Sequence, residues 1–256
     1  MAENISPVVL VVEHQGNAGI GHFAERLRAQ GLTLRTVGPA TGAGLPASLD
    51  GVAGLIVLGG SMGPGDDERA PWLPAARALL AEGVARETPT LGICLGAQLL
   101  TTALGGEVRL MAGGPEVGLA SVSFLGEAAD DPVFGDLAGG AAPTVQWHWL
   151  EAAVLPAGAQ LLASNAACAN QAFRVGSMAW GVQFHPEALT GTAEDWVVEE
   201  GDGLTELGLT GDSVVQTVRA AEPQLRDIWG SVAERFATLV RNEHARAEEN
   251  VGARPA

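Results

Sequence analysis

The first hundred residues alternate between short, wholly apolar runs and longer segments in which apolar residues recur every three or four positions. Residues 7–12 (PVVLVV) are β-branched and apolar on both faces, the pattern of a strand buried inside a parallel sheet. Residues 18–31 set Phe23 and Leu27 at helical spacing and stop at Gly31. A strand over 32–37 follows, then a buried strand within 50–60 that runs into Gly59 and Gly60. The segment 72–87 places Leu73, Ala76, Leu79 and Leu80 on one helical face. A strand over 89–94 then leads into a helix, GAQLLTTALGG, closed by Gly105 and Gly106. Such alternation predicts an α/β fold, a mostly parallel, doubly wound sheet flanked by helices. Ligands of such sheets bind at the carboxyl ends of the strands. Those ends carry His14, the turn Gly59-Gly60-Ser61, and Cys94.

From about residue 107 the pattern becomes β-like. Segments 119–124, 144–152, 159–165, 172–176 and 178–188 read as short strands separated by Gly, Pro and Asn. After His185 the chain reads as helix. Over 222–244 a single stripe collects Leu225, Ile228, Trp229, Val232, Phe236, Leu239 and Val240, with Pro223 near its first turn. This predicts one domain over 1–190, a C-terminal helical extension over 191–245 docked on the same core, and a disordered tail over 246–256. No linker or internal repeat interrupts the chain.

Composition narrows the classes of partner. A formal net charge of −16 argues against sequence-independent binding to nucleic acid or to an anionic membrane. Hydrophobic residues make up 47% of the 256, enough for a sizeable core. The two cysteines, Cys94 and Cys168, give neither a disulfide framework nor metal-ligand spacing and fit a reducing compartment. The N-terminal apolar run is short and ends at Glu13 and His14, unlike a signal peptide, and no stretch approaches the ~20 apolar residues of a membrane span. The expectation is a soluble cytoplasmic protein that needs no metal or other cofactor.

The chemistry concentrates at two places. Gly92-Ile93-Cys94-Leu95-Gly96 sits at a strand-to-helix junction and has the form of a nucleophile elbow with a thiol in place of the hydroxyl. Small neighbours permit a sharp turn, the helix N-terminus favours a thiolate, and the N–H of Leu95 faces a developing oxyanion. The same residues also suit a buried structural cysteine. A thiol nucleophile needs a base. Among five histidines, His185 ends an apolar strand that Pro186 prevents from continuing, and Glu187 lies within reach of the far ring nitrogen. Taken alone, His-Pro-Glu is equally a strand-ending turn. Trp147 and Trp149 share a strand face, which suits sheet packing as well as a pocket. Cys168 has neither flanking elbow glycines nor an adjacent base and reads as structural. His14 either lines the crevice or is a loop histidine without a role.

Taken together, LGICLGAQLL and WGVQFHPEA, about 90 residues apart and in this order, resemble the nucleophile and His-Glu motifs of class I (triad) glutamine amidotransferases. IVLGGSMG (56–63) is similar to the family's oxyanion turn, and GGEVRLMAGGPEVG (105–118), with Glu116 and Gly118, to the segment after the nucleophile helix. The resemblance spans about 8–188 and extends to the stand-alone, GMP-synthase-like members. It implies a flavodoxin-like fold and a catalytic set of Cys94 as nucleophile, His185 as base and acid, and Glu187 as its orienter. It further implies an oxyanion hole from the N–H groups of Gly60 and Leu95. Gln98 would help hold the substrate glutamine, and the reaction would pass through a γ-glutamyl thioester; Gly59, His148 and Trp149 are also expected to bind substrate. One departure stands out: where many relatives have His-Gly-Asp, this chain has His148-Trp149-Leu150, which puts preference for free glutamine in question. The loop 61–72 is expected to overhang the site. Two uses follow for one chemistry: ammonia supply to a synthetase on a separate chain, since little follows His185, or self-sufficient hydrolysis of γ-glutamyl compounds. A non-catalytic regulatory relative is a third reading, which the intact set of Cys94, His185 and Glu187 opposes. A partner or a homodimer is expected if the C-terminal stripe is left uncovered.

Overall fold

The structure, a computed structural model, describes residues 6–252. In chain order, β1 (Val8–Val12), α1 (Phe23–Ala29), β2 (Thr33–Val37), β3 (Gly54–Val57), α2 (Leu73–Ala85), β4 (Thr90–Ile93) and α3 (Leu95–Ala103) form the strand–helix alternation. The β-rich part contains β5 (Glu107–Leu110), β6 (Glu116–Phe124), β7 (Ala141–His148), β8 (Leu150–Val154), β9 (Gln160–Ser164), β10 (Ala172–Val175) and β11 (Ala179–Val182). Helices α4 (Thr190–Glu200), α5 (Gly203–Glu206) and α6 (Gly211–Gly252) close the chain. A nine-stranded sheet runs β2-β1-β3-β4-β11-β10-β9-β6-β7. Its first five strands are parallel, as the buried apolar runs require, and from β11 onward the pairing turns antiparallel.

The strand period of two sorts the apolar residues onto two cores. Val9, Val11, Ile56, Leu91 and Ile93 face α1, α4 and α6, whereas Leu10, Val12, Leu55 and Val57 face α2 and α3. The stripe on α6 docks on the first of these cores, where Leu225, Trp229, Val232, Phe236 and Val240 are buried and Ile228 and Leu239 partly so. Each large side chain buried this way contributes about 1.5–3 kcal/mol. Trp229 also donates its indole N–H to the Pro143 carbonyl at 2.9 Å, and Arg26 of α1 pairs with Glu234 at 2.8 Å.

Three expectations are corrected. The strand read over 144–152 is two strands: β7 stops at His148, and β8 leaves the main sheet to pair with β5. The break is fixed by the His148 ring, whose Nδ1–H donates to the Leu150 carbonyl at 2.9 Å, and by Met111, whose N–H donates to the Trp149 carbonyl at 2.9 Å. Pro223 is not near a helix start, because α6 begins at Gly211 and carries Pro223 in its interior. Val214 and Val218 extend the buried stripe by one more helical repeat, and this packing holds the helix through the proline. The expected disordered tail is helical as far as Gly252, through a run of Ala, Arg and Glu that favours helix; residues 253–256 lie outside the described residues. Among the described residues no helix is long and apolar enough to cross a membrane.

Candidate active site

Parallel register brings the chemistry to one sheet edge. β4 and β11 are neighbours with Ile93 opposite Val182, so Cys94 and the Gln183–Glu187 turn leave the sheet side by side. Cys94 donates its backbone N–H to Val182 at 2.8 Å, and His185 donates its own to Val145 of β7 at 2.8 Å. Both side chains are thereby fixed from the backbone up.

Cys94 stands immediately before α3 at φ +50°, ψ −106°, a conformation costly for any residue with a Cβ. The strain sits on the cysteine itself and not on the flanking glycines, neither of which has positive φ. Those glycines serve close packing. A Cβ on Gly92 would lie 2.6 Å from the Gly96 carbonyl, and one on Gly96 would drive into the Val57 carbonyl of β3. The absence of both side chains lets α3 settle against the sheet, with its N-terminus directly after the thiol-bearing residue. Gly60, in the turn after β3, lines the same cavity as Cys94. Neither the Leu95 N–H nor the Gly60 N–H has an acceptor among the described residues.

The base is preset. His185 Nδ1 and Glu187 Oε1 are 2.7 Å apart, with both groups almost wholly buried, which leaves Nε2 for the thiol. Burial alone would push the imidazole pKa down, but the Glu187 carboxylate and Cys94 outweigh it and lift the pKa from 6.5 to about 10. Gly59 backs this arrangement: a Cβ there would lie 2.8 Å from His185 Cε1. It makes room for the imidazole and does not line the cavity, so it stands apart from the substrate-contacting role expected of it.

A cavity of about 310 Å³ opens above Cys94. Gln98, His148 and Trp149 line it together with Cys94, His185 and Gly60. The His148 ring, however, is committed to protein acceptors, facing Leu150 O, Gln146 Oε1 at 3.1 Å and Glu116 Oε2 at 3.2 Å. Glu116 also accepts from Asn165 at 2.6 Å and Gln171 at 2.7 Å, so His148 props the wall more than it offers a hand to ligand. From the loop 61–72, Ser61, Met62 and Gly63 form one side of the cavity. Arg77 holds that loop by paired bonds to Asp67 at 2.9 and 2.6 Å and by a bond to Pro64 O at 2.6 Å. His14 lies outside the cavity, accepting from the Trp72 indole at 3.0 Å, with its pKa pushed down to about 4 by burial. Cys168 is buried elsewhere, its pKa pushed up to about 12 chiefly by burial, as befits an inert thiol.

The sequence alone assigns no role to two residues at the site, Gln183 inside the second motif and Trp196 outside both. Gln183 donates to Cys94 Sγ at 3.7 Å and accepts from Gln98 at 3.3 Å. Its position two residues before His185, directly after the apolar strand β11, is the clue the sequence offers. Trp196 of α4 packs edge-on to His185 with ring centroids 4.5 Å apart, tilts against Trp147 at 5.5 Å, and bonds Asn17 O at 2.9 Å. A chain of bonds from Ser61 N through Gln15 and Asn17 to Glu199 then ties the turn after β3 to α4.

Comparison with known proteins places this arrangement. Residues 22–201 match the family model Glutamine amidotransferase class-I, a span that includes α4. One of the subunits of the glutamine-hydrolyzing GMP synthase of Halobacterium salinarum is 30% identical over 203 residues, covering 77% of this chain and 94% of that one. Gamma-glutamyl peptidase 3 of Arabidopsis thaliana is 29% identical over 155 residues, 57% of this chain and 59% of that one. A crystal structure of a glutamine amidotransferase from Thermotoga maritima superposes with a TM-score of 0.81 at 26% identity, over 91% of this chain and 98% of that one. The match to the GMP synthase of Porphyromonas gingivalis, at 35% identity, spans only 26% of that protein's length. On motif, fold and comparison alike, the chain belongs to the class-I glutamine amidotransferases.

Proposed function

We propose that this protein is a γ-glutamyl amidohydrolase in which Cys94, His185 and Glu187 cleave the side-chain amide of glutamine or of a γ-glutamyl compound. The observation that carries this reading is the thiol of Cys94, held at positive φ on a helix N-terminus beside the buried His185–Glu187 pair and opening onto the cavity. In this reading the Cys94 thiolate attacks the amide carbon, and the N–H groups of Gly60 and Leu95 take up the charge on the carbonyl oxygen. The imidazolium Nε2 gives its proton to the leaving nitrogen as the C–N bond breaks, leaving a γ-glutamyl thioester. Water then adds to the thioester carbon while His185 accepts a proton from it. Glutamate departs and the thiolate returns, so protons balance over the cycle. Glu187 keeps the imidazole oriented and supports its positive charge.

Residues 6–190 with α4 form the catalytic unit in this reading, and α6 covers its sheet. The relative from Halobacterium salinarum, named as one part of a GMP synthase, supports release of ammonia to a synthetase on a separate chain. One observation favours hydrolysis without such a partner: Trp149 and Trp196 line the cavity, an apolar surface suited to a leaving group larger than ammonia. The test is turnover of glutamine and of γ-glutamyl amides by the purified chain alone and by Cys94→Ala. Loss of at least ~10³-fold in the variant is expected for a triad acting as a unit, and unchanged turnover overturns the assignment.

A further inference from the structure

The cavity above Cys94 has an uneven charge distribution. Apart from Cys94 and His185 at its floor, the charged side chains lining it are two carboxylates, Glu199 and Glu200, and among the described residues no lysine or arginine stands in its walls. Both carboxylates stand at the last turn of α4, where Glu199 is exposed and Glu200 half-buried, so they mark the open end. The carbonyl end of α4 adds its own negative potential there. Glu199 is held in place by Asn17 at 2.6 Å. Between this rim and the thiol the wall is made by three indoles, Trp147, Trp149 and Trp196. Aromatic faces joined to carboxylates attract alkylammonium groups and repel carboxylates.

We infer that the cavity takes γ-glutamyl amides of cationic amines, whose alkyl tail runs along the tryptophan wall and whose ammonium meets Glu199 and Glu200. Peptides whose leaving group brings a further carboxylate to the rim are disfavoured. This rests on the γ-glutamyl amidohydrolase reading and names its substrate class. The bond cleaved is the same amide C–N bond. Water supplies the hydroxyl for glutamate and the proton for the released amine, so no further reactant is required. Two rim carboxylates facing a ligand charge in a half-wet cleft alter its binding by about tenfold at low salt.

The test uses γ-glutamyl amides of three tails of equal length, ending in an ammonium, a methyl or a carboxylate. Expected at low ionic strength is a kcat/KM order of ammonium over methyl over carboxylate, about tenfold per step. In Glu199→Gln/Glu200→Gln the span should collapse to within about threefold, while Asp195→Asn, which removes a charge from the same helix outside the cavity, should leave the order intact. Added salt should compress the wild-type span. Equal rates for the three tails, or an order that survives the double substitution, overturns the inference while leaving the amidohydrolase reading intact. Turnover that persists in Cys94→Ala, or none by the wild type on any tail or on glutamine, overturns the parent reading instead and this inference with it.

Discussion

Gly59→Ala isolates the placement of the base from its chemistry. The added methyl would lie 2.8 Å from His185 Cε1, whereas ordinary contact begins near 3.4 Å, so the ring must retreat by about 0.6 Å. That retreat meets resistance on two sides, from the 2.7 Å bond to Glu187 and from the Trp196 ring 4.5 Å away. Displacement of a reacting group by a fraction of an ångström to 1 Å costs up to about 10²-fold in rate. We therefore expect kcat on glutamine or a γ-glutamyl amide to fall about 10- to 100-fold with KM changed less than about threefold. Strain of this kind costs about 1–3 kcal/mol of stability, leaving the chain folded. Gly65→Ala, where a methyl meets nothing within 4 Å, is the control and should match wild type. Glutamate release is followed at saturating substrate, with circular dichroism reporting the folded fraction. A Gly59→Ala enzyme with kcat within about twofold of wild type would refute the claim that this glycine makes room for the imidazole.

Other expectations follow from the same geometry. Trp196→Ala should lower kcat about tenfold, the scale of a lost aromatic pair worth about 0.5–1.5 kcal/mol, and should shift the pH profile of thiol alkylation; Trp196→Phe should restore most of both. Gly96→Ala, which pushes a methyl into the Val57 carbonyl, should destabilise by about 3 kcal/mol in urea titration and also lower kcat of the folded fraction, because α3 and the Leu95 N–H at its start must shift. His185 binds its proton more tightly folded than unfolded, with a pKa raised from 6.5 to about 10. Its contribution to stability is therefore complete below about pH 6.5 and lost as pH rises towards 10. Urea midpoints should drop between about pH 6 and about pH 9 in the wild type, and drop less in Glu187→Gln, which removes the chief support of the imidazolium.

The parallel half of the fold was legible because each buried strand is an unbroken apolar run and each helix has one apolar face. Cys94, His185 and Glu187 were ambiguous motif by motif and became legible only as two motifs read together, because their setting comes from distant residues such as Val182, Val145 and Gly59. What escaped depends on contacts distant in sequence. Nothing local marks Trp149 as a break between two sheets, since its flanks alternate like one strand and the pairing of β8 with β5 decides the matter. Trp196 lies in EDWVVEE, an ordinary amphipathic segment, and gains its place beside His185 only because α4 crosses the carboxyl edge of the sheet. The elbow glycines were recognised but for a different reason. They permit helix and sheet to touch, and the strained residue is the cysteine itself.

The central claim is that Cys94 carries the γ-glutamyl group as a thioester. Rapid acid quenching during turnover of glutamine or a γ-glutamyl amide, followed by intact-mass measurement and peptide mapping, addresses it directly. We predict an adduct with the mass of glutamine less ammonia, confined to the peptide bearing Cys94, absent from that of Cys168 and absent in Cys94→Ala. Steady turnover with no adduct on Cys94, or with the adduct on another residue, would contradict it.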